Sequence, residues 1–146
     1  MKNTSLSVNP TPRFIDLFAG CGGLSLGLMS AGFELDFAIE KSEMAAETFF
    51  HNFIRTQVTE LSWFQYRDLS IQEQYKHKLI INQLKTVLDN KELMETIRAG
   101  NIDLVAGGPP CQGFSMAGRR DDTGLRISEL VSLKIKDLHW MRATLK

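Results

Sequence analysis

At 146 residues, 43% hydrophobic and 23% charged, the chain has the composition of one soluble domain, with enough apolar residues for a core and no room for a second full domain. Its 17 basic residues balance 17 acidic ones, which excludes the global positive field that drives non-specific nucleic-acid binding. The distribution is uneven: from Ala117 onward seven Lys or Arg face four Asp or Glu, against ten and thirteen before it, so a DNA contact is expected toward the C-terminal side.

The polar, proline-bearing stretch 1–12 lacks the apolar run of a signal peptide, and no segment approaches the roughly 18 apolar residues of a membrane span. A flexible N-terminus, a cytoplasmic protein and no membrane partner are expected. Cys21 and Cys111 form no Cys-x-x-Cys pair, and His51, His77 and His139 stand without ligand spacing, so neither a metal nor a disulfide is predicted.

Arg13 to Phe18 is a short apolar run that stops at Ala19-Gly20-Cys21-Gly22-Gly23, after which Leu24, Leu26, Leu28 and Met29 begin a helix that Gly32 ends. Leu35 to Glu40 reads as a second strand closing on a carboxylate. The order predicts a βαβ unit. A glycine turn at the first strand end sets backbone N–H groups and a helix N-terminus against an anionic or zwitterionic group, and an acid ending the second strand suits ribose hydroxyls; together they point to a nucleoside cofactor. The competing reading is steric: glycines also end strands for want of space, and Glu40 then terminates a strand in solvent.

Ser42 to Phe53 has helical spacing through Met44, Ala45, Thr48, Phe49 and Phe53. Between Ile54 and Arg67 the pattern is ambiguous, with a third strand expected around Gln57 to Leu61 and Asp68 in the loop that follows. The apolar positions Ile71, Tyr75, Leu79, Ile80, Leu84, Val87 and Leu88 predict one helix over 71–88, and Leu93, Met94 and Ile97 a second ending at Gly100. The region 61–100 is thus a helical insertion whose amphipathic faces pack on the sheet or bind a partner.

Ile102 to Ala106 forms a short apolar strand, followed by Gly107-Gly108-Pro109-Pro110-Cys111-Gln112-Gly113-Phe114-Ser115. Two prolines fix the backbone while three glycines let it turn and let a flat substrate approach. A cysteine in such a turn is presented as a nucleophile, and Arg119 and Arg120 are close enough in sequence to favour its thiolate. Burial as a small apolar residue is the commoner fate of a lone cysteine, but this turn gives up the side-chain burial that such packing needs.

The segment Asp16-Leu17-Phe18-Ala19-Gly20-Cys21-Gly22-Gly23-Leu24-Ser25, then Glu40, then Gly108-Pro109-Pro110-Cys111-Gln112-Gly113-Phe114-Ser115 with Arg119-Arg120, resembles the DNA cytosine-5 methyltransferase family over residues 13–122. The resemblance implies an α/β fold, a partial doubly wound (Rossmann-like) sheet binding S-adenosylmethionine, truncated after the fourth strand and followed by a C-terminal helix. It implies cofactor contacts from Asp16, from Phe18 beside the adenine ring, and from Gly20, Gly22 and Gly23 near the methionine part. Glu40 would hold the ribose, Asp68 would lie near the adenine amino group, and Pro110 would pack between cofactor and base. Cys111 would add to C6 of cytosine, and Gln112, Ser115, Arg119 and Arg120 would contact a flipped nucleotide of double-stranded DNA and its phosphates.

The sequence departs from the family after Asp121-Asp122, where no Glu-Asn-Val segment, Arg-x-Arg element or DNA-reading domain follows. Instead Thr123 to Leu138 resembles the segment around the first catalytic arginine of tyrosine recombinases, the phage-integrase family, with Arg126 as that arginine. The later His-x-x-Arg element and tyrosine nucleophile of that family are absent. The tail 123–146, which is not an independent domain, reads equally as an amphipathic helix with Ile127, Leu130, Val131 and Lys134 on one face. Three functions follow: a methyltransferase weak or inactive alone, a non-catalytic half completed by a second methyltransferase chain, or a DNA-binding remnant that uses the basic tail.

Overall fold

The computed structural model describes residues 10–109. Arg13–Leu17 (β1), Glu34–Glu40 (β2), Leu79–Ile81 (β3) and Leu104–Gly107 (β4) form one parallel sheet in the order β3-β2-β1-β4. Around it lie the helices Gly23–Ser30 (α1), Glu43–Phe49 (α2), Trp63–Arg67 (α3), Ile71–Lys76 (α4), Leu84–Asp89 (α5) and Lys91–Ala99 (α6). A parallel sheet needs cover on both faces, and this one has it. Phe14, Leu35, Ala38 and Leu79 pack with Phe49, Phe50, Trp63 and Tyr66 on one side, while Ile15, Phe37, Ile39 and Ile80 pack with Val87 and Leu93 on the other.

Leu35 and Phe37 reach opposite faces because the β1–β2 register shifts between Phe14 and Ile15, leaving Asp36 as an extra residue whose buried carboxylate takes the Arg13 guanidinium. The helix after β1 ends as the sequence predicts. Gly32 (φ 92°) follows the C-cap Ala31, its N–H donates to the Met29 carbonyl, and the Phe33 N–H donates to Leu28 while both side chains join the core. This is the Schellman arrangement, in which a left-handed residue lets the chain turn back and satisfy the last carbonyls.

Four expectations are corrected. There is no strand at Gln57 to Leu61: α2 runs into a π-helical turn, Phe50–Ile54, and the chain then turns on hydrogen bonds from Gln57 and Val58 back to Ile54. The helix expected over 71–88 is two helices separated by β3. Leu79 packs on one face of the sheet and Ile80 on the other, an alternation of period two that a helix cannot supply. The insertion 61–100 is therefore helical at both ends but contributes the edge strand β3 at its centre. The strand placed at Ile102 to Ala106 is shifted to Leu104–Gly107.

Candidate cofactor site at the carboxyl end of the sheet

β1 is the switch point of the sheet: the chain leaves it for β2 on one side, and β4 returns to pair on the other. In open α/β sheets the crevice beyond the strand ends at this point is where ligands bind. Phe18 follows β1 directly and holds a left-handed backbone (φ 60°), which is strained for an aromatic residue. Its half-buried ring belongs to neither hydrophobic cluster of the described residues, so the strained backbone presents an aromatic surface without gaining core packing.

The next residues fold onto β2. The Ala19 N–H donates to the Ile39 carbonyl at 3.0 Å, and the Gly20 N–H donates to Glu40 Oε2 at 2.8 Å. Glu40 Oε1 accepts the Ser42 N–H at 2.7 Å, so one carboxylate bridges the glycine turn and the loop after β2. Each oxygen keeps a further acceptor position, which a ribose hydroxyl can fill. Gly22 is the N-cap of α1 and lies at φ 91°; a β-carbon there would press into the rings of Phe53 and Phe49, so both conformation and space require glycine. Gly23 opens α1.

Asp16 lies beneath this turn, fully buried, with Oδ2 accepting the Ser25 hydroxyl at 2.6 Å. Burial pushes its carboxyl above the ordinary carboxylate value, the Ser25 hydrogen bonds oppose that rise, and the nearby Glu40 charge adds to it. Asp16 Oδ1 is buried without a hydrogen-bond partner among the described residues. A buried unpaired oxygen is expensive, so a ligand donor reaching this depth would be well received. β4 comes so close to β1 that a β-carbon on Gly107 would strike the Leu17 carbonyl. That contact delivers the chain at Gly108 and Pro109 to the same end of the sheet as the glycine turn.

Asp16, Phe18, Gly20, Gly22, Gly23 and Glu40 are thus gathered at one end of the sheet. Asp68 is not joined to them by any hydrogen bond among the described residues; it caps the C-terminus of α3, 72% exposed, and pairs with Arg67, which reaches Glu43 at 3.4 Å. Pro110, Cys111, Gln112, Ser115, Arg119 and Arg120 lie outside the described residues, as does the recombinase-like tail. The sequence reading places Ser25 in the first motif and Phe53 in a helix without giving either a role, and does not single out Asn82. Asn82 follows β3 one strand away from Glu40, whose register partner is Ile81; the signal for it was the apolar triplet Leu79-Ile80-Ile81, which the helical spacing around it conceals. Among the described residues no group of His, Cys, Asp and Glu could hold a metal ion, and no helix is long and apolar enough to cross a membrane.

Fold and crevice together define an α/β protein with a glycine turn at the crevice of its switch point. The family model for C-5 cytosine-specific DNA methylases matches residues 12–135, and the chain belongs to this family. The match runs past 122, so the methylase family, and not the recombinase resemblance expected from the sequence, accounts for the chain as far as residue 135. The type II methyltransferase M.HindV of Haemophilus influenzae is 39% identical over 109 residues, 75% of this chain and 28% of that protein. M.HgiGI of Herpetosiphon aurantiacus is 37% identical over 110 residues, 75% of this chain and 68% of its own length. DNA (cytosine-5)-methyltransferase 3 of Arabidopsis thaliana is 36% identical, over 74% of this chain and 9% of that protein. The chain therefore spans 28% of the first relative's length and 68% of the second's.

Proposed function

We propose that this chain carries the cofactor site and the nucleophile of a DNA cytosine-5 methyltransferase that uses S-adenosylmethionine. The observation that carries the reading is the Glu40 carboxylate, which bridges the Gly20 and Ser42 N–H groups beside the strained Phe18. In the proposed arrangement Glu40 accepts the ribose hydroxyls, Phe18 stacks on the adenine, and the turn Gly20 to Gly23 receives the methionine part, with the unpaired Asp16 oxygen below it. Asn82 and Asp68 are the two candidates for the adenine amino group, and comparing cofactor affinity in Asn82→Ala and Asp68→Ala decides between them.

When bound, S-adenosylmethionine supplies an electrophilic methyl group. Cytosine C5 is too weak a nucleophile to take it unaided. Cys111 makes it one: the thiolate adds to C6, electron density moves onto C5, and after methylation loss of the C5 proton and departure of the sulfur restore the aromatic ring. The base must leave the duplex first, at a cost of a few kcal/mol in unstacking, which contacts from Gln112, Ser115, Arg119 and Arg120 to the nucleotide and its phosphates would offset. Cys111→Ser is expected to abolish labelled methyl incorporation into DNA while leaving cofactor affinity within about two-fold, because the sulfur acts on the base. Equal incorporation by the variant would overturn the assignment of the nucleophile.

The recombinase resemblance of 123–146 contributes no step, because the family match itself extends to residue 135.

A further inference from the structure

The π-helical turn Phe50–Ile54 buries Phe50 and Ile54 in the core but leaves Phe53 between them only partly buried, and such turns recur at functional sites, where they re-aim a side chain. What it aims here is Phe53. Phe49 is fully buried, whereas Phe53 is only partly so, and the two rings sit 4.7 Å apart at 44°. Together they form the wall against which Gly22 lies: its missing β-carbon would strike the Cε2 edge of the Phe53 ring and fall 2.9 Å from Phe49 Cδ2. Gly22 is at once the N-cap of α1 and the pivot of the glycine turn, with its N–H bonded to the Ala19 carbonyl and its carbonyl accepting the Leu26 N–H.

We infer that Phe53 is a positioning residue for the cofactor turn, pressing on the Cα of Gly22 so that the turn stays in its ligand-receiving conformation before ligand arrives. The inference rests on the reading of this turn as the cofactor site. Glycine alone visits left- and right-handed backbone regions with similar ease, so the turn needs an external wall to hold one of them. Without the ring, Gly22 samples other conformations, and affinity falls by the fraction of chains left competent. The other side of Phe53 faces Met29, Phe33 and Leu35 in the groove at the far end of α1.

The test uses the full 146-residue chain, titrated calorimetrically with S-adenosylhomocysteine, together with its thermal unfolding. Phe53→Ala is expected to weaken binding about ten-fold with cooperative unfolding retained, and Phe53→Leu, which keeps apolar bulk against Gly22, to bind within about three-fold of the parent. The unfolding midpoints of Gly22→Ala, Phe53→Ala and the double variant form a cycle independent of ligand. The loss caused by Gly22→Ala is expected to be smaller when Phe53 is already Ala, because the new methyl group then enters vacated space. Parental affinity in Phe53→Ala, equal loss of affinity in both Phe53 variants, or strictly additive midpoints would overturn the inference. If the parent itself binds no S-adenosylhomocysteine, the proposed function fails, while the cycle still judges the Phe53–Gly22 contact.

Discussion

Asp16 shows how much a single buried carboxyl decides here. Its folded-state pKa is raised chiefly by burial, so the native protein binds this proton more tightly than the unfolded chain. Stability is then fullest below the ordinary Asp value and declines as pH rises from about 4 toward the raised value. Asp16→Asn keeps an acceptor for the Ser25 hydroxyl and removes the titration. Urea unfolding from pH 4 to 7 is expected to show the parent losing stability relative to the variant as pH rises; parallel profiles would contradict the account. Gly107 makes the second residue-scale case. An added methyl group there meets the Leu17 carbonyl, backbone that cannot move aside without breaking the β1–β4 ladder. Gly107→Ala is expected to cost about 1–3 kcal/mol in denaturant unfolding, as overpacking does. The motif residues were visible in the sequence, but the Asp16–Ser25 bond was not, since it exists only once α1 folds back over the end of β1.

Among the elements, those with local signals were legible and those defined by tertiary contact were not. β1, the glycine turn, α1 and β2 were readable because an apolar run, a glycine cluster and a terminal Gly32 each mark their own boundary. β3 was hidden: Leu79 and Ile80 continue the helical spacing of Ile71 and Tyr75, and only their burial on opposite faces of the sheet distinguishes strand from helix. Two short helices are held by their N-termini. The side-chain oxygens of Ser62 and Ser70 accept the Gln65 and Glu73 N–H groups, and Gln65 and Glu73 accept from the Ser62 and Ser70 N–H groups in return. Ser70→Ala is expected to cost about 1 kcal/mol. The Ser70 hydrogen bonds hold the Glu73 carboxyl below its ordinary value, so its contribution is present above that value and lost as pH falls through the folded pKa. The gap between parent and Ser70→Ala in urea unfolding should therefore narrow in acid; a gap constant with pH would remove Glu73 from the cap.

At the scale of the molecule, sheet order and switch point bring the glycine turn, Glu40 and the outgoing end of β4 to one edge, and the pairing of β4 with β1 carries the chain at Gly108 and Pro109 alongside the first motif. This convergence followed from the alternation of strands and helices in the sequence, although the expected third strand was misplaced by some twenty residues. The central claim is that this edge holds S-adenosylmethionine. Calorimetric titration of the full chain with S-adenosylmethionine tests it most directly. Saturable one-to-one binding, weakened about ten-fold or more in Glu40→Ala, is the predicted result; a folded chain that gives no saturable binding, or that binds equally well with Ala at 40, would contradict it.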